Sequence, residues 1–233
     1  YGEFTYAMQG ANLSGFVFRA DAGLGRGKTE ELIANQNRRR LIDMVGVKYV
    51  IAMSDEEGVM SLYNFKKIFS YGSYAVFENL TVMPRAFLAS NYEGPPPLRP
   101  FDFAQDFEGQ ADQDLEKERR KLIFNKLLDP DFDFRNVLIL EEPLPISAQF
   151  GAGTAEIVSY SPQEVVVKTK SDQPKLLFLS DNWYPDWKAE VDGDETGIWR
   201  ANYTFRAVPL LAGEHLVRFY YDSEVFKIGL IIS

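Results

Sequence analysis

The residues AGLGRGKT, 22 to 29, have the types and spacing to hold a phosphate: a Gly-rich turn followed by Lys28 and Thr29. In a nucleotide-binding loop the backbone N–H groups cradle the phosphates, the lysine meets the outer ones and the hydroxyl holds magnesium. An apolar run, SGFVF, precedes the turn and a helix-like run follows it. Further on, KYVIAMSDEE has the form of an apolar strand ending in magnesium-binding acids. Such a loop, however, works inside a doubly wound parallel sheet built by repeated strand–helix crossovers. Here hairpin signals and proline-rich chain come next, and Ala22 stands where the strict pattern has glycine. A turn before a helix capped near Thr29, with Glu30 and Glu31 in its first turn, accounts for the same residues. The turn is the favoured reading, and a P-loop nucleotide-binding protein the less favoured one.

A second set of candidates surrounds LFLSDNWYPDWKAEVDG, residues 177 to 193. Trp183, Tyr184, Trp187 and, further along, Trp199 offer flat faces of the kind that stack on a pyranose ring. Packing of a β core uses the same rings, and so does a membrane interface. Asp181 and Asp192 complete the candidate glycan-binding set. With Asp186 and Asp194 they form an acidic cluster that could give calcium some of the six to eight oxygens it takes. Turn formation by Asp explains them without an ion, and no metal is assigned.

Other chemistry is narrowly bounded. The chain has no cysteine, which excludes disulfides, thiolate catalysis and Cys-ligated zinc or iron–sulfur clusters. His215 is the only histidine, so a triad or metal site built on several histidines is excluded too. Its place in AGEH reads as the start of a strand. Arg85 and Arg206 lie in strand-like apolar runs, where an arginine faces a phosphate or, more ordinarily, a structural carboxylate. No catalytic residue and no cofactor is assigned.

The elements that would position these residues differ along the chain. Leu32, Ile33, Leu41, Met44 and Val45 recur at helical spacing over 29 to 45, with Arg38, Arg39 and Arg40 on another side. VKYVIAM reads as a strand, FKKIFSYGSYAVFEN as a hairpin around Gly-Ser, and PRAFLAS as another strand. NYEGPPPLRPFDF is irregular because proline removes a donor and restricts its predecessor. The charged segment from Glu108 to Leu128, with Leu115, Leu122, Ile123, Leu127 and Leu128, predicts a surface helix ended by Asp129-Pro130. NVLILEEP is a strand closed by proline. From about 152 the texture turns to β: TAEIVSYS, EVVVKTK, KLLFLSD, WKAEVDG, IWRAN, TFRAVPL and HLVRFYYD. Ser-Pro, Asp-Gln-Pro, Asp-Gly-Asp and Ala-Gly-Glu turn chemistry divides them. Short strands at this spacing predict an antiparallel sandwich.

With 233 residues, 45% of them apolar, the chain can bury a real core. Its 34 acids against 25 Lys and Arg give a formal charge of -9, which argues against nucleic acid as a partner. No apolar run approaches the roughly 20 residues that cross a bilayer. The chain opens at Tyr1 and closes on VFKIGLIIS, an apolar rise with no charge after Lys227. It reads as a segment of a longer protein, with a membrane helix starting where the sequence stops.

The segment 177 to 193 resembles the C-terminal extracytoplasmic part of the YfhO-like bacterial membrane proteins. Their pattern there is a Ser-Asp pair, an aromatic, Tyr-Pro, a Gly, then Trp-Lys and an Asp-Gly turn. The similarity continues through RANYTFRAVPLLAGEHLVRFYYDSEVFKIGLIIS, with Phe-Arg-Ala-Val, Ala-Gly-Glu-His and Phe-x-Tyr in register. LIDMVGVKYVI, YAVFEN with MPRAFLAS, and DFRNVLILEEP look like earlier blocks of that family. Asp186 departs from the pattern, since glycine is usual there. The resemblance implies a polytopic glycosyltransferase C type protein that takes sugar from a polyprenyl-phosphate carrier outside the cytoplasmic membrane. Its catalytic carboxylate would lie on a loop between early membrane helices, outside this sequence.

The expected fold is therefore α+β: a mixed α/β half over 1–150, with a proline-rich and charged-helix connector at about 91–130. An antiparallel β-sandwich, jelly-roll or Ig-like, is expected over 151–233. The expected role is a non-catalytic extracytoplasmic domain that positions a glycan or envelope-polymer acceptor beside the membrane-embedded part of its own parent chain. An independent carbohydrate-binding module is the alternative.

Overall fold

The computed structural model describes residues 36–95, 111–142, 144 and 151–223. The Gly-rich loop at 22–29, its flanking SGFVF, Leu32, Ile33 and the terminal VFKIGLIIS lie outside the described residues. The chain divides into two compact units, 1–84 with 128–131 and 85–127 with 132–233. The division falls between Pro84 and Arg85, just before the strand within PRAFLAS. That strand is hydrogen-bonded into a sheet of the second unit, for the reason given below.

In the first unit, helix α1 (Gln36–Met44) buries Leu41, Ile42 and Met44, as the helical spacing required. Strand β1 (Tyr49–Met53), a short 3-10 turn and helix α2 (Glu57–Leu62) follow. The hairpin of β2 (Phe65–Tyr71) and β3 (Tyr74–Asn79) turns at Gly72-Ser73, with Gly72 at φ 58. The sheet order is β1-β3-β2, all antiparallel. One face carries Val50, Phe65, Ala75 and Phe77, all buried. Asp43 is buried below it, its Oδ1 accepting from Asn79 Nδ2 at 2.8 Å and from Thr81 Oγ1 at 3.0 Å. A buried carboxylate needs such donors.

The second unit is built on two antiparallel sheets. Its strands are β4 (Ala86–Ala89), β5 (Asn91–Glu93), β6 (Val137–Ile139), β7 (Gly153–Ser161), β8 (Glu164–Ser171) and β9 (Lys175–Leu179). Then come β10 (Trp187–Val191), β11 (Asp194–Thr196), β12 (Trp199–Ala201), β13 (Phe205–Leu210) and β14 (Gly213–Tyr221). The larger sheet runs β11-β10-β14-β8-β7 and the smaller β12-β13-β9-β4. All seven expected runs are strands. The additions are β11, formed by the two-residue Asp192-Gly193 hairpin, and β4, which pairs with β9 from Ala86↔Leu179 to Ala89↔Leu176. Val165, Val167, Val217 and Phe219 from the large sheet close on Leu177, Leu179, Val208 and Leu210 from the small one. That is the core of a sandwich.

The small sheet is buried on both faces: every residue of β9 is buried. On the face away from the large sheet, Phe178 lies 4.8 Å from Phe87 and 5.4 Å from Phe205 between ring centres. Helix α3 (Ala111–Leu128) contributes to this side, with Phe124 edge-on to Tyr203 at 5.9 Å and Glu116 3.6 Å from Arg200. It is thus more than a surface helix, since Ile123 and Leu127 are buried. The run NVLILEEP gives only three strand residues, paired in parallel with β5, and Leu140 then bridges to Ala201.

Asn202 ties this layer together. It is fully buried at φ 45; its N–H donates to the Ile139 carbonyl and its Oδ1 accepts from the Ile139 N–H, both at 2.8 Å. Alanine would strip the acceptor and force a Cβ-bearing residue without a helping amide into the left-handed region. Glycine would lose the acceptor alone. We expect Asn202→Ala to lose roughly 3 kcal/mol and Asn202→Gly roughly 2, read from urea unfolding midpoints. Equal stability of Asn202→Ala and the parent would refute the clamp.

Candidate functional site

The candidate residues sit on the connection between β9 and β10 and on the strands beside it. The chain leaves β9 at Leu179, and Ser180 N–H donates to the Arg85 carbonyl at 2.8 Å, fastening the loop to the start of β4. Asp181 Oδ1 then accepts from Arg85 Nε at 2.8 Å and Nη2 at 2.6 Å. The same guanidinium lies over the Tyr160 ring at 4.2 Å and donates to its hydroxyl. Arg85 therefore takes the structural-carboxylate reading, and Asp181 is engaged by it.

The loop turns at Tyr184-Pro185-Asp186-Trp187, where Trp187 N–H donates to the Tyr184 carbonyl at 3.1 Å. Proline suits the second position of such a turn. Asp186 is not among the described residues with positive φ, so this turn does not demand the glycine usual at that position. Its carboxylate accepts instead from the Tyr221 hydroxyl at 3.1 Å. The departure in sequence leaves the turn intact.

Each tryptophan has a neighbour on it. The Arg206 guanidinium lies 3.6 Å from the centre of the Trp187 ring, and Tyr221 meets that ring edge-on at 5.7 Å. Arg200 lies 4.3 Å over Trp183, whose Nε1 donates to the Ile198 carbonyl at 3.3 Å. Trp199 packs over Gly197, where a Cβ would come within 3.1 Å of its ring. All three tryptophans are half-buried, whereas Tyr184 is 58% exposed. The structure gathers Asp181, Trp183, Tyr184 and Trp187 at one end of the sandwich.

Arg206 is the buried element of that end. It is 3% exposed, and its Nε donates to the Asn182 carbonyl at 2.8 Å while Nη1 has no protein partner. Burial pulls its pKa down to about 10, with Asp181 acting against that shift. It still carries its charge at neutral pH. Arg200 is held by Glu141 at 3.3 Å, and burial pushes the Glu141 carboxyl up against the pull of that arginine. Sequence reasoning singled out Arg206 but missed Arg200, whose signal was its place between Trp199 and Ala201 in a buried sheet.

Asp192 lies elsewhere, in the hairpin at the far end of β10, some five residues or about 16 Å along the strand from Trp187. At φ 56, followed by Gly193 at φ 95, it forms the two-residue turn expected of Asp-Gly. Its Oδ1 accepts from Leu216 N–H at 2.8 Å and its Oδ2 lies 2.7 Å from His215 Nδ1. His215 Nε2 faces the Leu211 carbonyl at 3.2 Å. The lone histidine is thus a clip between two hairpins. Asp194 is exposed on β11, and no group of three or more metal-ligating side chains is gathered among the described residues.

A sandwich with an aromatic-bearing loop at one end, and no helix among the described residues long and apolar enough to cross a membrane, defines the class as a β-rich domain module. Residues 146–233 match the family described as bacterial membrane protein YfhO. This part of the chain is similar to that family, and the match takes in β7 to β14. No curated protein and no solved structure matches the chain.

The Leu216 N–H, and after it His215, hold the Asp192 carboxyl below its ordinary value. A lowered carboxylate stabilises the fold above its unfolded pKa, about 3.9, and that contribution fades as pH falls through the lower folded value. Asp192→Asn keeps the left-handed turn and removes the charge. We expect its melting temperature to lie below the parent's at pH 5 to 7 and to converge with it below about pH 3. A gap that stays constant into acid would contradict the assignment.

Proposed function

We propose that this chain is a non-catalytic extracytoplasmic domain of a polytopic, glycosyltransferase-like membrane protein, and that it holds a glycan or envelope-polymer acceptor near the membrane-embedded part of its parent. The observation that carries the reading is that the YfhO-like match coincides with the sandwich strands whose β9–β10 loop presents Tyr184 and the edge of Trp183. An exposed ring beside half-buried ones is a platform for the C–H face of a sugar, while Asp181, held by Arg85, fixes the loop behind it. Trp187 supports the platform rather than forming it, because Arg206 lies against its ring; Trp199 packs over Gly197 and takes no part. Asp192 belongs to a different end and takes no part.

The test is titration of the 233-residue chain with neutral oligosaccharides, followed by tryptophan fluorescence. We expect saturable quenching, and a loss of about tenfold in affinity for Tyr184→Ala, the worth of one stacking contact near 1.4 kcal/mol. The melting temperature should not move, since the ring is exposed. Absence of any saccharide binding would sink the glycan reading. Binding by the chain, with envelope glycosylation undiminished in cells carrying Tyr184→Ala in the parent, would favour an independent carbohydrate-binding module.

A further inference from the structure

We infer that the bare face of the first unit's sheet is a self-association surface, on which a second copy of this chain packs face to face in antiparallel sense. In β1 the buried residue is Val50, while Tyr49, Ile51 and Met53 point the other way and are exposed. The register places Ile51, Val76 and Phe69 in one row across the sheet and Met53, Tyr74 and Tyr71 in the next. Ile51 is 72% exposed, Phe69 60%, Tyr74 61% and Tyr71 82%. Exposed apolar side chains set side by side in this way offer a surface that a partner can cover. Tyr, Phe and Met are the residues enriched where proteins meet.

Charge selects the occupant. At the end of the sheet where β1 begins, Lys48 reaches over the Tyr49 ring at 5.3 Å and stands 3.8 Å from Glu78. Exposed Lys66 lies at the same end, opposite Glu78. At the end where β1 finishes come Asp55, exposed, and Glu56. With Lys48 and Lys66 outnumbering Glu78 at one end, and Asp55 and Glu56 at the other, the ends carry opposite net charge and the face is complementary to itself when reversed. A two-fold axis in the interface plane, running across the strands, keeps the strand order. It lays β1 over β1 with the directions opposed, so that Lys48 meets Asp55 of the second copy twice over. Ile51, Val76 and Phe69, the middle row, then pack on their own counterparts. Isologous contacts of this sort are the usual route to a dimer. Three strands about 4.8 Å apart and five residues long present roughly 240 Å² of face, well short of the ~800 Å² per partner of a stable complex. The dimer is therefore weak.

Sedimentation equilibrium on the 233-residue chain, in a series extending to hundreds of micromolar, tests this. The expected result is a monomer–dimer equilibrium abolished by Phe69→Lys. Lys48→Glu and Asp55→Lys should each weaken it about fivefold at low salt, since each reverses two symmetry-related contacts. The double variant should return to within about twofold of the parent. All three substituted positions are exposed, and circular dichroism confirms that each of the four variants is folded. A chain that stays monomeric throughout overturns the proposal, as does dimerisation indifferent to Phe69→Lys. Failure of the double variant to recover overturns the antiparallel packing. A parallel run with neutral phosphatidylcholine vesicles separates the other occupant: vesicle binding lost in Phe69→Lys, without dimerisation, assigns the face to lipid.

Discussion

Two buried cations close the ends of the sandwich core, and the loops that matter are anchored to them. On the inner face of the small sheet, Lys175 pairs across from Leu210 at one end and Arg206 from Leu179 at the other. Both are at most 3% exposed. Lys175 Nζ donates to Ser90 Oγ at 2.9 Å and the Gly151 carbonyl at 2.8 Å; Arg206 Nε donates to the Asn182 carbonyl. Burial lowers the pKa of each. For a base, a lowered folded pKa means that the charged form is penalised by folding, so below that value the charge opposes stability. Their presence is better explained by what they hold in place. Lys175 pins the entry to β7, and Arg206 pins the loop that carries Trp183 and Tyr184.

The small sheet explains why the second unit reaches back across the chain. With β9 and β13 buried on both faces, the sheet needs cover on the side away from the sandwich and a strand on its free edge. β4 supplies the edge, and α3 with β5 and β6 supplies part of the cover. Pro209 is tolerated within β13 because β12 pairs only as far as Ala207, so the missing N–H falls beyond the ladder.

Much of this was legible from residues whose local chemistry has one outcome. Asp192-Gly193 can hardly be anything but a hairpin turn, and Gly72-Ser73 between two alternating runs is nearly as restrictive. Turn residues and alternation gave the sandwich strands. What stayed hidden depended on partners distant in sequence. PRAFLAS reads as a strand, but nothing in it says that its neighbour is Leu176–Leu179. The acids of 181 to 194 look like one cluster in sequence, yet a strand carries Asp192 away from Asp181, and separate partners occupy them. YVIAM reads as a strand, but nothing in it says which of its two apolar faces is covered; the buried one carries Val50, and Tyr49, Ile51 and Met53 are exposed.

That contrast separates the two sheets by function. In the small sheet, apolar residues on both faces are matched by cover on both faces, and the result is rigidity. In the first unit the same composition leaves one face without cover among the described residues, and the result is a surface able to associate. The loop follows a third logic. Its rings are neither wholly buried nor wholly free, because Arg206 and Arg200 lie against Trp187 and Trp183 and leave Tyr184 as the accessible aromatic. The two arginines thus decide which ring is left exposed, and Arg206, through the Asn182 carbonyl, fixes where the loop stands.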